Sequence, residues 1–188
     1  MSPAILVPKV TIPGVPVADC CLRHLHKAFE GHRVFKPEVP YDCDGTFTVR
    51  GATSIVMKPL LVAHCDEQPS PIPDGSVLKS EGTTIARKDG LALFCGKFTI
   101  SNPNGGQLFT GYMELMDRVG THHEPFGAEK CDEEYHIEGW LVGKGSRRYA
   151  DLQLRALVVA KADRLPEVPE SGLEGFLNGV IVQLPKEG

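Results

Sequence analysis

A chain of 188 residues with 41% hydrophobic content is long enough to fold as one domain around a substantial core, burying roughly 70% of the surface its unfolded form would expose. Its 20 basic and 24 acidic residues are interspersed and sum to a formal net charge of -4, which leaves neither the basic footprint of a nucleic-acid binder nor a polybasic membrane anchor. No segment approaches the ~20 consecutive apolar residues that span a bilayer, and the lead MSPAILVPKV is broken by Pro3 and Pro8 before any signal-peptide core can form, so a cytoplasmic location is expected.

Prolines at positions 3, 8, 13 and 16 make the first stretch an extended arm, because each removes a backbone donor and fixes φ. The stretch from Val17 to Glu30 reads as one helix. Asp19 stands near its start, Cys21, Leu25, Ala28 and Phe29 recur at helical spacing, and Gly31 follows as a stop signal. Packed against the outside or across one end of the domain, this helix completes a lead region over residues 1–45. The six cysteines, Cys20, Cys21, Cys43, Cys65, Cys95 and Cys131, include no C-x-x-C pair and fit neither a zinc ribbon nor a disulfide framework, so mostly buried, reduced thiols are expected.

From Thr46 the apolar period changes to two. Candidate strands run over Thr46 to Arg50, Ser54 to Ala63, Val77 to Ser80, Thr83 to Lys88, Leu91 to Ser101, Gln107 to Arg118, Glu134 to Gly143, Tyr149 to Ala162 and Gly175 to Leu184. Residues Asp66 to Gly75, with three prolines, form a loop. Lys88-Asp89-Gly90, Asn102 to Gly106 and Gly143 to Ser146 supply turn chemistry, which makes successive strands antiparallel neighbours. Long consecutive strands with little helix after residue 30 predict an all-β fold. The expected form is an antiparallel up-and-down barrel of about eight strands over residues 46–184, with one N-terminal helix, since a barrel leaves no exposed edge.

The segment EYHIEGWLVGKG, Glu134 to Gly145, places His136, Glu138 and Trp140 on one face of a strand and Ile137 and Leu141 on the other. On the preceding strand Tyr112 and Glu114 also share a face. If both polar faces look inward, the four form an acid/base set: His136 shuttles a proton, Glu138 or Glu114 orients it or acts as base, and Tyr112 donates to a developing oxyanion, with Trp140 as an aromatic wall. The bland alternative is a solvated hairpin face, since alternating polar and apolar residues mark any half-exposed strand.

The run His136 to Leu157 carries a hydrophobic strand into a Gly-Lys-Gly turn, a tyrosine just past it, and a returning strand with alternating Leu152, Leu154 and Ala156. It resembles the glycine-turned hairpin of the allene oxide cyclase-like barrel family, which includes dirigent-type proteins. The resemblance implies an eight-stranded antiparallel barrel with a ligand cavity, often oligomeric, whose members include cyclases and isomerases that need no cofactor. It carries no catalytic position across, because no active-site motif of the family is matched.

Further groups are read beside these. Thr121-His122-His123-Glu124, followed by Glu129, Cys131 and Asp132, offers either a metal site with His136 or a polar loop at the barrel mouth in which His123 reaches the substrate. Adjacent histidines on a strand diverge, and no metal is assigned. Asn178 and Phe176 share a face and are candidate substrate contacts, with a bulge beside Gly179 as the plain alternative for Asn178. Arg155 offers either an anion contact or an outer salt bridge, His24 and His26 fall on different helix faces, and His64-Cys65-Asp66 ends a strand. The expected function is a cofactor-independent isomerase, cyclase or lyase acting on a small, largely apolar molecule in the lumen. The alternatives are a lipocalin-like carrier of a small hydrophobic ligand, whose His/Glu face turns outward, and a His/Glu metal enzyme.

Overall fold

A computed structural model describes residues 22–37, 46–59, 72–87, 91–119, 135–162 and 170–183. They form eight strands: β1 Leu22–Pro37, β2 Thr46–Pro59, β3 Val77–Arg87, β4 Leu91–Ser101, β5 Gln107–Val119, β6 Tyr135–Gly145, β7 Leu152–Ala162 and β8 Glu170–Gln183. Every strand pairs antiparallel with the next, and β8 pairs with β1, so the sheet closes into a barrel. The expected all-β, eight-stranded antiparallel barrel is what the chain forms.

The helix expected over Val17 to Glu30 is not. Residues 17–21 lie outside the described residues, and from Leu22 the chain is β1, extended and hydrogen-bonded on both sides, to β2 and to β8. The apolar positions Leu25 and Phe29 satisfy both periods, being four apart. The structure selects the period of two, because Leu25, Lys27, Phe29 and Arg33 are all buried while Glu30 and His32 are exposed. A sheet edge on either side outweighs the weak local preference of a short segment for helix. The barrel therefore begins at Leu22 rather than at Thr46.

Two of the next strands are each longer than the sequence suggested. Thr46 to Arg50 and the start of the next segment merge into β2, and the two segments on either side of Gly82 merge into β3. Gly82 is not a turn but an inward-facing position in register with Gly51 on β2 and Gly96 on β4. A Cβ on Gly82 would lie 2.3 Å from the Cys95 carbonyl oxygen, and one on Gly111 would lie 2.0 Å from that of Val142. Bare backbone at these positions lets neighbouring strands approach as they coil into a narrow barrel.

The lumen is filled by alternate residues of each strand, among them Leu25, Met57, Phe98, Leu141, Leu154 and Ile181, all essentially without solvent exposure. One end is plugged. There Ile72 is fully buried, Gly75 donates to the Met57 carbonyl at 2.7 Å, and Lys27 on β1 pairs with Asp74. At the same end Tyr149, in the 3₁₀ turn Arg147–Tyr149, stacks on Phe109 with ring centroids 6.2 Å apart. The β4–β5 turn is held by Asn102, whose Oδ1 accepts from the amides of Asn104 at 3.0 Å and Gly106 at 2.7 Å, with Gly105 at φ +82. Among the described residues, no helix is long and apolar enough to cross a membrane.

Candidate functional site

The half of the lumen away from the plug holds a charged pair. Arg33 comes from β1 and Asp117 from β5, four strands apart in a ring of eight and so on opposite walls. Both point inward by the alternation that buries Phe29 on β1 and Met113 on β5. The Arg33 guanidinium crosses the lumen and donates to Asp117 Oδ2 at 2.6 Å, with each side chain only 7% exposed. Asp117 Oδ1 is buried and has no hydrogen-bond partner among the described residues.

Around this pair lies a cavity with about 40 Å³ of room for the centres of water-sized groups. A space of this size takes a small molecule and no bulky one. Its wall is apolar, with Phe29, Ile55, Leu78, Phe94, Met113 and Leu177 prominent, and Arg33, Asp117, Thr53 and Thr84 supply its polar atoms. Burial pushes the Asp117 carboxyl above the usual carboxylate range; the charge and hydrogen bond of Arg33 pull the other way and are outweighed.

The side chains picked out as an acid/base set lie elsewhere. Tyr112, Glu114, His136 and Glu138 are all exposed on the outer wall, as are Trp140, Phe176 and Asn178, with Tyr112 65% exposed and Trp140 57%. The inward placement expected for them is overturned by strand parity: on β6 the buried positions are Ile137 and Leu141, and on β5 they are Met113 and Asp117. The register also separates them. Tyr112 pairs with Val142 and His136 with Arg118, six residues further along β5, or about 20 Å at the usual strand rise. Glu114 does stand beside Trp140, and His136 and Phe176 line one shallow outer groove with Val159.

Other candidates divide in the same way. Arg155 is on the outer wall, and His24 and His26 lie on β1 rather than on a helix. Cys95 is a free thiol exposed on the outer wall of β4, not a buried one. His122, His123, Glu124, Glu129, Cys131, Asp132, His64, Cys65 and Asp66 are outside the described residues, as are the remaining cysteines.

Arg33 and Asp117 were missed by sequence reading, although one of them left a signal. On Gln107 to Arg118 the face opposite Tyr112 and Glu114 reads Phe109, Gly111, Met113, Leu115, Asp117, where a lone carboxylate ends an apolar row. Arg33 falls in the equivalent row on β1, two places beyond Gly31, where the helical reading had stopped. No family model, no curated protein and no solved structure matches the chain.

Proposed function

We propose that the lumen encloses a small, largely apolar molecule and that the Arg33–Asp117 pair moves a proton on it, making the protein a cofactor-independent isomerase, cyclase or lyase. The observation that carries this reading is the second carboxylate oxygen of Asp117, buried at the cavity wall and unpartnered among the described residues. A buried ion pair gives up hydration that apolar side chains of similar size would not, so as a stabilising device it is poor. A carboxyl whose proton affinity is raised by burial and that is oriented by a guanidinium suits proton transfer.

The chemistry balances without a co-reactant. Asp117 Oδ1 takes a proton from the bound molecule while Arg33 steadies the negative charge that passes to substrate oxygen or carbon. The same carboxyl then returns the proton to a different atom, giving an isomer, or to a departing group, giving elimination. Confinement by Phe29, Phe94 and Met113 limits the conformations of a flexible molecule, which itself lowers the barrier. The likeness of the Gly-Lys-Gly hairpin to allene oxide cyclase-like barrels supports the same reaction class.

The outward turn of Tyr112, Glu114, His136 and Glu138 favours a second reading, a carrier that performs no chemistry. One experiment separates the two. Small molecules extracted from the purified chain are returned to fresh protein and followed by chromatography with mass detection. An enzyme converts one of them to a product of equal mass, or to two fragments, and Asp117→Asn slows the conversion by about 100-fold or more. Retention without conversion by the wild type leaves the carrier, and conversion at an equal rate by Asp117→Asn removes the pair from the chemistry.

A further inference from the structure

Taking the lumenal reading as its basis, we infer that the molecule held there is electrically neutral and presents a hydroxyl group to Asp117, in preference to a carboxylate or an ammonium group. In the ionised pair Arg33 and Asp117 meet at 2.6 Å with opposite charges, so a ligand at this end of the cavity meets both signs side by side. A ligand ion would surrender its hydration to a cavity whose wall is mostly hydrocarbon, and would meet one partner of like sign beside one of opposite sign. A carboxylate faces the lone pairs of Asp117 Oδ1, and an ammonium faces the guanidinium of Arg33.

Hydrogen bonding points to the same group. Oδ2 is engaged by Arg33, so Oδ1 is the atom that meets a ligand. Ionised, it accepts a hydrogen bond; protonated, it donates one. A hydroxyl satisfies either state, because it carries both a donor hydrogen and acceptor lone pairs, whereas an ammonium serves only the first and a ketone only the second. Thr84, buried on β3 at the same cavity, adds a second hydroxyl that can share such a network. Leaving Oδ1 unpaired beneath an apolar ligand costs the desolvation of a carboxylate oxygen, and a hydroxyl ligand recovers it.

The test uses the full chain and three small probes of one carbon skeleton: n-pentanol, pentanoate and n-pentylammonium. Binding is read from the methyl resonances of Met113, which lines the cavity, and Met116, which stands on the outer wall. The expected result is a saturable shift of Met113 alone, with pentanol at least about tenfold tighter than either ion. In Arg33→Met/Asp117→Leu, which removes the two charges together, pentanol weakens by about tenfold while 1-chloropentane, which has no donor, binds unchanged or tighter. Tighter binding of either ion, or equal pentanol affinity in the double variant, overturns the hydroxyl assignment and leaves the lumenal site standing. If no probe moves Met113 in the wild type, the lumenal site itself is lost. The ranking on the wild-type chain decides the matter even if the double variant does not fold.

Discussion

Asp117 is the residue on which the pH behaviour of the fold should turn. Its carboxyl holds a proton more firmly in the folded barrel than the ordinary value of 3.8 that applies when unfolded, because burial outweighs Arg33. Above about pH 4 the unfolded chain has released this proton while the folded chain still binds part of it, so stability falls as pH rises. The contribution is complete below the unfolded value and is lost as pH passes the folded one. The unfolding free energy of wild type minus that of Asp117→Asn should therefore fall as pH rises above about 4 in urea titrations. A difference that grows over that range would mean that the guanidinium outweighs burial. At this scale the sequence displayed the relevant residue types but not their direction. His136, Glu138 and Trp140 drew notice because polar groups clustered on one face, yet that clustering is how an outer wall looks. The functional mark of an interior is the reverse, a single charge among hydrocarbons, as Asp117 is after Met113 and Leu115.

Most strands were legible from alternation alone, and their positions from Leu91 onward needed only adjustment at the ends. The exceptions have one cause. β1 was read as helix because Leu25, Ala28 and Phe29 fit a period of 3.6, and the partners that enforce extension, β2 and β8, come later in the chain. β3 was read as two pieces because Gly82 resembles a break when seen without its neighbours Gly51 and Gly96. That glycine has a testable consequence. Gly82→Ala places a methyl 2.3 Å from the Cys95 carbonyl oxygen and 2.6 Å from the Gly96 Cα, atoms of backbone that cannot rotate aside. We expect a loss of about 1–3 kcal/mol in chemical unfolding, the usual cost of overfilling a tight site. Gly105→Ala should act differently, through its positive φ alone, since nothing lies within 4 Å of the added carbon.

At the scale of the molecule, closure was foreseen while its means was not. The ring is completed by a strand from the region read as an arm and helix, so residues near the start of the described chain meet residues near its end: Leu22 lies opposite Val182 and Val34 opposite Glu170. Ending the chain at residue 169 removes β8, uncovers hydrogen-bonding edges on both β1 and β7, and takes away the buried Leu177 and Ile181. Such a shortened chain should show no cooperative thermal transition by circular dichroism and should associate on size-exclusion chromatography. A sharp transition in a monomer would show that seven strands suffice.

The β1–β8 seam also sets a timetable. During synthesis the first strand leaves the ribosome long before its second partner has been made, and its free rim must wait, open to neighbours, until the last strand arrives. Lys27 and Arg33 stand on that first strand, where a charge hinders stray hydrocarbon contacts while the ring is still a ribbon.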